Sequence, residues 1–114
     1  MQKPGRLDLI CYQGADFDFQ ITWTVSGSPV NLTGWTGRMQ VRKIPGAPSA
    51  TLSLTSGSGI TLGGAAGTVL VAATATQTAA IIPGTYKYDL ELVNGSHVTR
   101  LVQGDFTVIA EVTK

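Results

Sequence analysis

The chain has 114 residues and carries eight Lys and Arg against seven Asp and Glu, a formal net charge of +1. That size suits one domain, and the charge balance excludes the electrostatic footprint of a nucleic-acid or anionic-membrane binder. One cysteine, Cys11, excludes an internal disulfide framework. No stretch approaches the ~20 apolar residues of a membrane span, and the first residues lack a signal-peptide pattern.

Taken in chain order, residues 1–6 read as a flexible N-terminal arm, with a single domain over 7–114. Leu7–Tyr12 reads as a first strand. From Asp16 to Val25 the apolar residues alternate strictly: Phe17, Phe19, Ile21, Trp23 and Val25 oppose Asp18, Gln20, Thr22 and Thr24. A period of two places the large rings on one face of a strand, whereas a helix would scatter them. Ser26-Gly27-Ser28-Pro29 reads as a turn. Trp35–Lys43 alternates again, with Trp35, Gly37, Met39 and Val41 opposed to Thr36, Arg38, Gln40 and Arg42.

Pro45 and Pro48 then break the chain, because neither can donate to a ladder. Thr51–Thr55 reads as a short strand within a light stretch, Ala47–Gly59, expected to be exposed. Ile60–Leu62 and Thr68–Ala73 flank a Gly-rich hairpin loop. Thr74-Ala75-Thr76-Gln77 matches a capping box and predicts a helical turn near residues 75–81, stopped by Pro83-Gly84. Thr85–Val93 returns to strand, with Tyr86, Tyr88, Leu90 and Leu92 inward and Lys87, Asp89 and Glu91 outward. Asn94-Gly95 signals a hairpin into Val98–Gln103. Asp105–Val112 is the last predicted strand, with Phe106, Val108, Ala110 and Val112 on one face. The pattern predicts an all-β fold: an antiparallel two-sheet β-sandwich, Ig-like or Greek-key, or a closed barrel.

The residues that could carry chemistry have plainer readings. His97 is the only histidine and follows a turn, with nothing to orient it as a general base. Cys11 lies in a strand without the cationic setting that activates a thiol. Asp16 and Asp18 share a strand face, but calcium needs six to eight oxygens, commonly from a dedicated loop. Asp89 and Glu91 have Lys87 beside them as an ion partner. The run from Gly57 to Gly64 lacks the Gly-Lys-Ser/Thr ending of a phosphate loop. Arg38, Arg42 and Lys43 make a basic stripe, but Trp35 has the opposite strand parity to both arginines, so ring and charge point apart. The sequons at Asn31 and Asn94 are chance matches without a secretory signal. The expectation is therefore a non-enzymatic domain without metal or cofactor.

Four blocks together resemble a family of small tailed-bacteriophage virion domains, similar to the N-terminal domain of phage baseplate upper proteins. They are Gln13–Phe19, Val30–Arg42, Ala75–Ala80 with Pro83–Leu92, and Leu101–Val108. The resemblance spans roughly Leu7 to Thr113 and rests on the order and spacing of the blocks. It implies a virion address and an assembly role, with other virion proteins of tail, neck or capsid as partners and many copies in a symmetric particle. The family's long receptor-facing extensions do not follow within these residues, so the expectation is an assembly module of tail, baseplate, neck or fibre attachment, or a capsid decoration protein. A host-surface or carbohydrate-binding module is the reading from another class, with Trp35 as its one platform. Exposure on the predicted elements marks Lys3, Arg6, Trp35, Arg42, Lys43, Ile44 and Lys114 as interface residues. No nucleic acid and no membrane are expected as partners.

Overall fold

The computed structural model describes residues 5–44, 46–47 and 49–112. Eleven strands and one helix follow in order: β1 (Gly5–Arg6), β2 (Leu9–Tyr12), β3 (Phe17–Thr22), β4 (Thr24–Val25), β5 (Ser28–Pro29), β6 (Thr36–Arg42), β7 (Leu52–Ser56), β8 (Gly59–Leu62), β9 (Thr68–Ala73), α1 (Ala75–Ala79), β10 (Gly84–Asn94) and β11 (His97–Ile109). The chain is mostly β, as the alternation predicts. Its sheet is another matter. Nine strands form one curled, mixed sheet in the order β1-β11-β10-β6-β7-β8-β9-β3, with β2 also on β11, and β4–β5 forms a small second ribbon.

The expected all-antiparallel arrangement is corrected at three ladders. β1 and β2 both pair parallel to β11, and β7 pairs parallel to β8. Alternation fixes which face a residue takes but carries no information on strand partners. The β7–β8 pairing arises from a tight corner. Thr55 and Ser58 exchange backbone hydrogen bonds of 3.1 and 2.8 Å, and the Gly57 N–H donates to Ile60 O at 3.1 Å. The chain then leaves along the direction it entered, so the sheet turns over instead of ending.

Beyond this corner, β8, β9 and β3 fold over β6, β10 and β11. Phe17 on β3 meets Phe106 on β11 edge-on, with centroids 5.2 Å apart. Ile60 on β8 comes so close to β6 that a methyl group at Gly37 would sit 2.9 Å from its side chain. Between the layers lie Cys11, Met39, Val41, Leu54, Val69, Val71, Leu90, Leu92 and Phe106, all essentially sealed from solvent.

Most of the inward positions read from the sequence are inward here: Tyr86, Tyr88, Leu90 and Leu92 on β10, and Gly37, Met39 and Val41 on β6 are buried. The long first alternation is cut short. β3 ends at Thr22, the Trp23 N–H donates to Gly67 O at 2.8 Å, and Val25 is exposed in the β4–β5 ribbon. That ribbon closes through Ser26 and Gly27, both at positive φ (52° and 80°), the sign pattern of a type I′ hairpin turn.

The two predicted strands on either side of Gly104 are one strand, β11. Gly104 marks a close approach rather than a turn: a methyl group there would lie 2.5 Å from Leu7 O. Ala110 and Val112 fall beyond the strand and are exposed. The β10–β11 loop is Gly95–Ser96 rather than Asn94-Gly95, since Asn94 pairs with His97, and Gly95 alone takes positive φ. Leu52 and Leu54 draw β7 out of the stretch expected to be exposed and into the core. Of the expected arm, residues 1–4 lie outside the described residues, and Gly5 and Arg6 are held on β11.

The capping box forms as read. Thr74 Oγ1 accepts from the Gln77 N–H at 3.2 Å and Gln77 Oε1 accepts from the Thr74 N–H at 2.9 Å. Asp16 Oδ1 accepts from the Ala75 N–H at 2.9 Å, which ties α1 to the start of β3. The fully buried Thr78 hydroxyl accepts from the Gly14 N–H at 3.0 Å and donates to Ala15 O at 2.8 Å. A buried hydroxyl satisfied in both directions turns a desolvation cost into a fixed contact. It anchors the helix over the β2–β3 turn.

Candidate functional site

The outer face of β6, β10 and β11 carries seven of the chain's fifteen charged residues. Strand register sets three rows across these strands. Arg42, Lys87 and Asp105 form the first, Gln40, Asp89 and Gln103 the second, and Arg38, Glu91 and Arg100 the third. Arg6 on β1 joins beside Gln103. Each is an outward position of its strand, so the alternation that buries Tyr88 and Leu90 also presents this surface.

Ion pairs organise it. Arg38 Nε lies 2.7 Å from Glu91 Oε1, Arg100 Nε lies 3.4 Å from Asp89 Oδ2, and Arg6 lies 3.1 Å from Asp8 and 3.6 Å from Asp105. Lys87 is hydrogen-bonded to Asp105. Pairs this exposed add little to stability and chiefly fix where the side chains stand. The Lys87 hydrogen bond holds the Asp105 carboxyl below the usual carboxylate range. Burial, then the neighbouring Glu91, push the Asp89 carboxyl up, against the pull of Arg100, Arg38 and Arg42.

A shallow depression of about 300 Å³ opens in this face, lined among others by Arg6, Arg42, Lys87, Asp89, Arg100 and Gln103. Its floor includes Tyr88 and Gly104. Because Gly104 has no side chain, the Leu7 backbone dips toward the core, and the Tyr88 hydroxyl donates to Leu7 O. Burial first, then the Asp8 charge, push the Tyr88 phenol up from 10.0 to about 12, with Arg6 opposing.

A phenol whose pKa is higher folded than unfolded contributes fully below the unfolded value and loses that contribution as pH rises toward the folded one. Wild-type stability should therefore fall between pH 10 and about 12. Tyr88→Phe should be less stable at pH 7 by roughly 1 kcal/mol, the net worth of the lost hydrogen bond, and show a shallower decline over the alkaline window. Urea unfolding at pH 7, 10 and 11 checks this, and parallel pH profiles for the two proteins would refute it.

A second surface is the edge strand β2. Cys11 is sealed from solvent between Ile10 and Tyr12, which are 56% and 59% exposed, and Ile109 beside Tyr12 is 42% exposed. Among the described residues the far edge of β2 has no strand partner. Alternate large apolar side chains along an unpaired edge are what edge strands ordinarily avoid.

The residues singled out from the sequence divide among several places. Arg6 and Arg42 meet in the depression although they are far apart in the chain. Lys43 stands over the Tyr86 ring, 4.9 Å from its centroid, and Ile44 is exposed just beyond. Trp35 is elsewhere, half-buried with Trp23 and His97 edge-on to it at 5.5 and 5.8 Å. Lys3 and Lys114 lie outside the described residues. Asp89, Arg100 and Gln103 were not foreseen as part of a site. Of the three, only Asp89, on β10, had a legible outward parity, and their meeting depends on cross-strand register.

The other candidates keep plain surroundings. Burial raises the Cys11 thiol above its ordinary value, the opposite of activation. Asp16 is committed to the α1 N-terminus. Among the described residues no three His, Cys, Asp or Glu side chains converge as metal ligands. Lys87 pairs with Asp105 rather than with Asp89 or Glu91. Compared with models of protein families and with curated proteins, the chain matches none.

Proposed function

We propose that this chain is a non-enzymatic assembly protein of a tailed-bacteriophage virion, acting in many copies through protein–protein contacts in the tail, baseplate, neck or fibre attachment. The order and spacing of the sequence blocks supply the virion address. One observation carries the assembly role: the β2 edge, without a strand partner among the described residues, exposes Ile10 and Tyr12 at 56% and 59% while Cys11 between them is sealed. An edge of that kind adds a strand from a neighbour, with backbone hydrogen bonds giving affinity and alternate side chains giving selectivity. We read the curled sheet as a variant two-layer sandwich whose layers are joined through the β7–β8 corner. Such a scaffold keeps the core enclosed and leaves an edge available.

The test is made on particles. Virions purified from the strain that carries the gene should yield this chain's peptides by mass spectrometry, and gold-labelled antibody should mark the tail end. Label spread over the head would replace the tail reading with capsid decoration. Particles free of the chain would end the proposal. An Ile10→Lys, Tyr12→Lys double variant should fold, since both side chains face solvent, and fail to enter particles.

A further inference from the structure

Among the described residues, every cation of the charged face except one has an acidic partner. Arg6, Arg38, Lys87 and Arg100 are each ion-paired, whereas Arg42 has no carboxylate partner among the described residues. Its guanidinium donates to two neutral oxygens instead, Ala47 O at 2.6 Å and Gln40 Oε1 at 2.8 Å. Those bonds hold the half-buried fork in place at the rim of the 300 Å³ depression. A guanidinium has five N–H donors, so donors remain for a further acceptor.

We propose that this depression docks an acidic segment of a partner protein, with one carboxylate seated on the Arg42 fork. Planar, pre-oriented guanidinium groups match carboxylates in a bidentate way. The rest of the face sets the spacing. Glu91 stands between Arg38 and Arg100, Asp105 stands beside Lys87, and Asp89 lies between Gln40 and Gln103, so a closely charged polymer such as nucleic acid meets carboxylates as well as cations along the face. A peptide with carboxylates separated by neutral residues places one at Arg42 and keeps the others clear. This names the partner chemistry for the assembly reading above and rests on it for biological meaning, although the binding itself is independent of where the chain resides.

Fluorescence anisotropy with a fluorescein-labelled peptide of alternating Glu and Ser tests it, with the matching Gln and Ser peptide as control. The Glu peptide should bind, more weakly as salt rises, and the Gln peptide should not. Arg42→Gln should weaken binding tenfold or more, in line with loss of a charge-assisted hydrogen bond. Gln40→Glu gives Arg42 an internal carboxylate and should abolish binding without loosening the fold, which keeps the test valid if Arg42→Gln unfolds. Binding unchanged in either folded variant overturns the proposal. So does heparin binding equally to wild type and Arg42→Gln while displacing the peptide. A negative result here leaves the particle experiment unaffected, so the two readings fail separately.

Discussion

Phe106→Ala should lower the free energy of unfolding by about 3–5 kcal/mol, the usual cost of emptying a buried aromatic site. Phe106 is fully sealed on β11. Its ring meets Phe17 edge-on at 5.2 Å and lies 6.5 Å from Tyr88. Phe17 in turn packs on Phe19 at 5.8 Å. The ring is thus the pin through which β3, at one end of the sheet order, is seated on β11, near the other end. Few residues could fill the gap, because β3 and β11 are both held in register by their own ladders. Against a total stability on the order of 5–15 kcal/mol, this loss is large enough to populate unfolded chain. Phe106→Leu should cost clearly less, since it restores most of the volume. Urea unfolding with both variants measures the effect, and a loss below about 1 kcal/mol for Phe106→Ala would show that β3 does not seat on β11.

The same ring shows what the sequence made legible. The alternation around Phe17 and Phe106 gave the inward face of each strand, because side-chain parity is local and follows from the pleat. The Thr74–Gln77 capping box was legible for the same reason: all its partners lie within one turn. Strand partners were not. Parallel pairing of Gly5 with Val102 and of Leu9 with Phe106 joins residues nearly a whole chain apart, and no local pattern encodes it. The predicted strands Val98–Gln103 and Asp105–Val112 divide β11 at Gly104, because glycine marks both turns and close approaches, and only the position of Leu7 distinguishes them. The site followed the same division. Arg6 and Arg42 could be singled out as exposed, but their meeting with Asp89 and Arg100 depends on the β11-β10-β6 order.

The corner that makes the curl should be the other position of high sensitivity, at Gly59 and not at its neighbour Gly57. Both have positive φ, 104° and 82°, which L side chains rarely adopt. Their surroundings differ. A methyl group at Gly57 would meet open space, whereas one at Gly59 would lie 2.7 Å from the Leu54 side chain and 2.8 Å from Ala72 O on β9. Leu54 could shift; the Ala72 backbone is held by the β3–β9 ladder and cannot without opening it. Gly57→Ala should therefore cost the backbone strain alone, roughly 1–2 kcal/mol. Gly59→Ala should cost strain and overpacking together, about 3 kcal/mol or more. Because the damage falls on β8 and β9, the folded fraction should also exchange its β3 and β9 amide protons faster than those of β10 and β11. Urea unfolding and hydrogen exchange on the paired variants decide the matter: equal losses at the two glycines would mean that the sheet turns over without the tight packing of Gly59 against β9.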